Sequence, residues 1–175
     1  MRNLDQLVSD AVAGDRSAFA RLLEGETPAA YRAALSILRS PEEARDVVQE
    51  AAIRAWQQLP GLRNANAWAG WFRRITVHIA LDERRHSRHG REIRLAPEAN
   101  RDMEDPTAAA DETVALLAAF ERLPPADRAI LALRYHLDLT VPDAAAELGI
   151  RVGTAKARLH RAIARLRTEL RDDLE

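Results

Sequence analysis

Leu139-Thr140-Val141-Pro142-Asp143-Ala144-Ala145-Ala146-Glu147-Leu148-Gly149-Ile150-Arg151-Val152-Gly153-Thr154-Ala155-Lys156-Ala157-Arg158-Leu159-His160-Arg161 reads as two helices joined by a turn of about three residues. Thr140 is placed to cap the first helix, with Asp143 three residues on completing a T-x-x-D box. Pro142 sits in the first turn, where its missing N–H costs nothing. Gly149 falls where a left-handed C-cap is needed. The second helix, about 152–170, carries Ala155, Leu159, Ala162, Ile163, Leu166 and Leu170 on one stripe. Lys156, Ala157, His160 and Arg161 lie on another face, flanked by Arg151, Thr154, Arg158 and Arg165. A helix with one apolar and one basic side fits a major groove, reading base edges and holding phosphates. The plainer reading is a solvated basic face on an ordinary bundle helix.

Around this motif, composition supports an all-α chain. Of 175 residues, 47% are apolar but only 5% aromatic, so cores must be built mainly from Ala, Leu, Ile and Val. Eight prolines and seven glycines leave room for long helices, and no sustained alternating run suggests a strand. The absence of cysteine removes disulfides, thiolate metal sites and cysteine nucleophiles, and fits a reducing compartment. No apolar run approaches the ~18 residues of a membrane span. The N-terminus lacks the basic-then-apolar plan of a signal peptide. The expectation is a soluble cytoplasmic protein.

A net charge of −1 argues against nucleic acid, but its distribution argues for it. Residues 61–94 carry eight basic and three acidic groups, and residues 128–171 nine and four, each net +5. Residues 95–127 between them carry two and eight, net −6. Two basic blocks around an acidic one predict two separate positive surfaces.

Short helices are predicted over 4–13 and 16–24, broken at Gly25 and Pro28, then a third over about 28–39. Ser40-Pro41-Glu42-Glu43 starts a fourth helix, to about 58, with cap, N1 proline and two first-turn acids in order. Its apolar stripe is Ala44, Val47, Val48, Ala51, Ala55 and Leu59; Glu43, Asp46, Gln49, Glu50 and Arg54 lie on the other side. The loop after Pro60-Gly61 offers Arg63, Asn64 and Asn66. A fifth helix, about 66–86, turns Trp68, Trp71, Phe72, Ile75 and Ile79 inward and leaves Arg73, Arg74, Arg84 and Arg85 for the surface. A basic helix beside an amide-rich loop is a platform for single-stranded DNA; the two tryptophans also read simply as core.

Periodicity is lost from about 92 to 110, in an acidic, proline-broken stretch read as a flexible linker that keeps two domains apart. The boundaries are therefore a first domain over 1–91, a linker over 92–110 and a second domain over 111–175. His78, Asp82 and His86 share a helix face, but local pairing of Asp82 with an arginine is the stronger expectation. No metal, cofactor or catalytic site is expected, since no phosphate loop, dinucleotide fingerprint, zinc or nucleophile-elbow motif occurs.

Four stretches then fall in one order: Glu43-Ala44-Arg45-Asp46-Val47-Val48-Gln49-Glu50 through Ala55-Trp56; Trp71-Phe72-Arg73-Arg74-Ile75 through Ala80-Leu81-Asp82-Glu83-Arg84-Arg85; Leu123-Pro124-Pro125-Ala126-Asp127-Arg128; and Leu148-Gly149-Ile150-Arg151-Val152-Gly153-Thr154 through Arg158-Leu159-His160-Arg161-Ala162. In this order the chain resembles the extracytoplasmic-function group of the sigma-70 family, promoter-recognition subunits of bacterial RNA polymerase. The resemblance implies a first domain that docks Asp46, Gln49 and Glu50 on the polymerase clamp. Its loop 61–66 would hold a flipped-out base of the −10 element, and its helix 66–86 would line the opened strand. The second domain would read the −35 duplex through Lys156, His160 and Arg161. Implied partners are core polymerase at its clamp and flap, promoter DNA and, as in many relatives, an anti-sigma factor. The linker would thread the polymerase channel. A free-standing helix-turn-helix regulator is the alternative; a purely protein-binding helical module is the other.

This chain departs from the family pattern where it has Ala155 and Ala157 in place of Val and Ser, His78 in place of Asn, and Pro142-Asp143-Ala144 in place of two acids and Ile. Because the chain ends soon after 170, no large appended sensory domain is expected.

Overall fold

Both caps read from the sequence, at Ser40 and Thr140, are used, and Asn3 and Asp15 cap two further helices. Asn3, Asp15, Ser40 and Thr140 each accept a backbone N–H from the first turn of the helix they open. In this computed structural model, residues 3–90 and 108–172 are described, and they are helical or in turns throughout. The predicted linker therefore lies outside the described residues, save for its last three positions, which belong to a helix.

The N-terminal unit comprises α1 (Leu4–Val12), α2 (Arg16–Leu38), α3 (Pro41–Gln58) and α4 (Trp68–Gly90), with two 3₁₀ turns between α3 and α4. Its core joins Phe19, Ile37, Leu38, Val47, Leu59, Trp68, Phe72 and Val77. Trp68 stacks on Phe72 at 5.5 Å between ring centroids. Its indole N–H donates to Leu22 O at 3.1 Å, which satisfies the polar tip of a buried ring. Trp68 is thus core, and Trp71 half-buried.

One boundary differs from the sequence expectation. Gly25 and Pro28 do not break the chain into two helices, because α2 runs through both. Proline removes the N–H that would bond Glu24 O, but Glu24, Gly25 and Pro28 all face solvent, where water satisfies that carbonyl. Leu22 and Ala30 on either side are buried, so packing on both flanks holds the helix continuous.

The C-terminal unit comprises α5 (Ala108–Arg122), α6 (Pro125–Leu131), a π-helical turn (Ala132–His136), α7 (Val141–Leu148) and α8 (Val152–Asp172). Alanines at 129, 144, 145, 155 and 162, almost wholly buried, let these helices approach closely. Ala144 and Ala155, two of the departures from the family pattern, are therefore packing positions.

The expectation that a tether keeps the two units apart is not met. α2 packs on α6 and the π turn, α4 packs on α7 and α6, and the buried apolar cluster runs through both units. Arg128, only 2% exposed, is central to this contact. Its Nε donates to Ser36 O at 2.8 Å and its Nη2 to Ile37 O, both at the C-terminal end of α2. Its Nη1 donates to Glu121 O at 3.2 Å and Leu123 O at 2.6 Å, at the end of α5. One guanidinium thereby satisfies the last carbonyls of two helices in different units, where the helix dipoles also favour positive charge.

Candidate nucleic-acid interface

Thr140 opens α7 by accepting the Asp143 N–H at 3.3 Å, while its own hydroxyl donates to Asp143 Oδ2 at 2.5 Å. Gly149 closes it at φ 64°. There Gly149 N–H donates to Ala146 O and Ile150 N–H to Ala145 O, a Schellman pattern that turns the chain into α8. A side chain at 149 would need a left-handed backbone. It would also meet His78, whose Nε2 lies 3.3 Å from where a Cβ would stand. The result is a helix-turn-helix.

α8 docks through Ala155 and Ala162, both wholly buried, with Leu159, Ile163 and Leu166 half-buried beside them. Its other side is open. Arg151, Thr154, Lys156, Ala157, His160 and Arg161 are exposed, and Arg158 is half-buried. Among the described residues, neither Lys156 nor Arg161 forms a salt bridge or side-chain hydrogen bond. Arg165, expected to flank this face, instead pairs with buried Asp127 and clamps α8 to α6.

In the N-terminal unit the loop residues Arg63, Asn64 and Asn66 are exposed. Asn64 Oδ1 accepts the Asn66 N–H at 3.0 Å, which fixes the second 3₁₀ turn. The four α4 arginines behave differently from one another. Arg74 is exposed. Arg85 is exposed and paired with Asp82 at 2.8 Å. Arg84 is half-buried and engaged within the chain. Arg73 is only 16% exposed in its side chain; Nη1 meets Glu26 at 3.1 Å and Nε meets Glu147 of α7 at 3.0 Å. It does not stand on the open surface with the other predicted strand-facing cations. His78, Asp82 and His86 do not converge, since Asp82 turns to Arg85 and His86 Nδ1–H donates to the Asp82 carbonyl.

On α3, Asp46 and Gln49 are exposed and Glu50 half-buried. Asp46, Glu50, Glu43, Arg54 and, from α4, Glu83 line a shallow acidic cleft floored by Val47 and Ile79. A second, apolar groove of about 730 Å³ lies where α2, α5, the π turn and α8 meet, lined by Leu35, Leu116, Leu117, Phe120, Tyr135 and Leu166.

Glu26, Glu147 and Arg128 were not among the residues the sequence singled out. Glu147 did leave a signal: it shares the stripe of Ala144 and Leu148, so a charge on a buried face implied a partner. Burial pushes its carboxyl above the ordinary glutamate range, while Arg73 opposes the rise.

A compact N-terminal helical unit with a basic helix, joined to a unit whose helix-turn-helix leaves its second helix open, defines a two-part, all-helical DNA-binding protein. The sequence matches the family profiles Sigma-70 region 2 over residues 22–90 and Sigma-70, region 4 over residues 113–166. It is 32% identical over 165 residues to the ECF RNA polymerase sigma factor SigM of Mycobacterium tuberculosis, covering 94% of this chain and 83% of that one. It is 28% identical to SigL of the same organism, over 94% and 96%. The chain belongs to the extracytoplasmic-function group of sigma-70 RNA polymerase sigma factors. The fold is similar to that of CnrH in complex with the cytosolic domain of CnrY, with a TM-score of 0.71, 25% identity and coverage of 98% and 99%. It is also similar in fold to RpoE bound to the anti-sigma factor NepR from Bartonella quintana, with a TM-score of 0.67, 23% identity and coverage of 87% and 96%. No helix among the described residues is long and apolar enough to cross a membrane.

Proposed function

We propose that the chain acts in the cytoplasm as a dissociable subunit that brings core RNA polymerase to a promoter and performs no chemistry itself. Residues 1–91 form the part that engages the clamp and the melted −10 element, and residues 111–175 the part that reads the −35 duplex. The observation that carries this reading is the open basic face of α8. Lys156, Ala157, His160 and Arg161 project from a helix whose opposite stripe is buried against its own motif. Lys156, His160 and Arg161 hold positions for base contact, Arg151, Thr154 and Arg158 for phosphates, and Ala157 offers only a methyl contact of the kind thymine accepts.

On the other unit, Asp46, Gln49 and Glu50 face the polymerase clamp, with the acidic cleft beside them suited to a basic partner. Arg63, Asn64 and Asn66 receive the flipped base, and Arg74, Arg84 and Arg85, together with Arg73 once released, follow the strand backbone. The apolar groove beside Tyr135 is the seat for an amphipathic helix, from the polymerase flap or from an anti-sigma factor. RpoE, similar in fold, was solved with such a factor.

The test is run-off transcription on genomic DNA with purified core polymerase, with and without this chain, followed by mapping of transcript 5′ ends. New start sites sharing two spaced elements are expected. A chain that adds no start sites but binds duplex DNA alone would instead be a free-standing regulator.

A further inference from the structure

Of the 26 lysines and arginines in the chain, one alone is lysine, Lys156. The difference is chemical. A guanidinium stays protonated and offers no nucleophile, whereas an amine that sheds its proton attacks acyl carbon. The chain's primary amines are therefore its α-amine and the Lys156 ε-amine, and the second stands on the open face of α8.

The surroundings of Lys156 favour an anionic reagent. Its helix neighbours three and four residues away are Val152, Gly153, Leu159 and His160, none of them a carboxylate. No Asp or Glu occurs between Glu147 and Glu169, a stretch that carries Arg151, Arg158 and Arg161 besides Lys156. None of these four cations forms a salt bridge among the described residues. Unpaired like charges on one surface raise the local concentration of an anion. His160 lies one turn on from Lys156 and is also exposed. Side chains at this spacing share a face, with Cβ atoms about 5–6 Å apart, so the ring is within reach of the ε-nitrogen. His160 forms no hydrogen bond among the described residues, which leaves a ring nitrogen for a proton.

We propose that Lys156 is an acyl-acceptor site whose donor is an acyl phosphate, the class of anionic activated acyl compound that this cationic face gathers. The ε-nitrogen attacks the acyl carbon and a C–N bond forms. The C–O bond to phosphate breaks, and inorganic phosphate leaves with the electron pair. His160 takes the proton that the nitrogen sheds. The product is a neutral amide, so one positive charge is lost from the reading face. An arginine in its place would hold a phosphate equally well but take no acyl group. The effect on transcription rests on the reading of α8 as the duplex-reading helix; the acceptor chemistry does not.

The test uses the full chain and acetyl phosphate, with acetylation of each amine followed by peptide mass spectrometry. The α-amine is the internal reference. In His160→Ala the ratio of Lys156 to α-amine labelling is expected to fall about tenfold, below the usual range for a positioned base because both side chains are exposed. Unchanged far-UV circular dichroism shows that the helix persists. Raised salt should lower the same ratio in the parent by screening the face. A ratio that ignores either change reduces Lys156 to an ordinary exposed amine and overturns the site. The treated chain is then mixed with core polymerase for run-off transcription. Acetylation should lower the parent's transcript about tenfold, and the same treatment should leave Lys156→Arg at its own untreated level. A parent transcript that does not fall overturns the regulatory role. If the untreated parent yields no transcript, the reading as a polymerase subunit fails, and the labelling ratios still decide the site.

Discussion

Replacing Arg128 by alanine removes a guanidinium that donates to four backbone carbonyls, two at the end of α2 and two at the end of α5. A hydrogen bond from a charged group is worth about 1.5–3 kcal/mol, but four bonds from one buried cation do not add, because its own desolvation offsets them. A net loss equal to about two such bonds, roughly 3–5 kcal/mol, is expected when the four carbonyls lose their donor. Half of the bonds cross between units, so about 1.5–2.5 kcal/mol of that loss falls on the inter-unit contact. At about 2–4 °C per kcal/mol for a chain of this size, the crossing share alone lowers the midpoint by roughly 3–10 °C. The assay is selective because all three tryptophans, 56, 68 and 71, lie in the N-terminal unit. Thermal unfolding followed by tryptophan fluorescence therefore reports a unit that does not contain residue 128. A fall of at least ~3 °C in that transition is expected. If the tryptophan midpoint stays put while the far-UV signal melts earlier, Arg128 is only a cap on α5, and the coupling argument is wrong.

Arg161→Ala should reduce transcription from the cognate promoter by about 5- to 150-fold, corresponding to about 1–3 kcal/mol for a groove contact, with no change in melting temperature because the residue is exposed; equal transcript levels would remove the contact. Asp46→Ala should weaken binding to core polymerase while leaving duplex binding intact, and undiminished co-elution with polymerase would refute that assignment. The raised Glu147 carboxyl gives a signed pH dependence. The folded chain holds that proton more tightly than the unfolded one, so its stabilising contribution is full below the ordinary value of 4.5 and is lost as pH rises through the raised value. The charged groups around it are Arg73 from α4, Glu26 from α2 and Asp143 on its own helix. Glu147→Gln should flatten this dependence and raise the urea midpoint above the parent's at pH 8; a lower midpoint there would mean that the pair with Arg73 outweighs burial.

Local signals are legible where the physics is local. Ser40-Pro41-Glu42-Glu43 and Thr140-x-x-Asp143 start helices because caps satisfy first-turn donors within three residues. Gly149 ends one because a left-handed residue is needed there. The stripe of Ala44, Val47, Ala51 and Ala55 is buried as its spacing requires. Pro28 misleads because its cost depends on whether the orphaned carbonyl meets water, which the order of residues does not state. Trp68 could not be divided between core and platform until its indole found Leu22 O.

Periodicity and caps act over one or two turns, so the residue order alone sets the all-helical character, the helix-turn-helix and the open basic face of α8. That the two halves close on each other, that Arg73 is tied to Glu147 and that Arg128 joins α2 to α5 emerges only in three dimensions. Arg73 and Glu147 stand 74 residues apart in the chain, and Arg128 and Ser36 stand 92 apart. An arginine carries the same charge whether it meets a phosphate, a carboxylate or a helix end, and its partner is chosen by which surfaces the fold brings within reach.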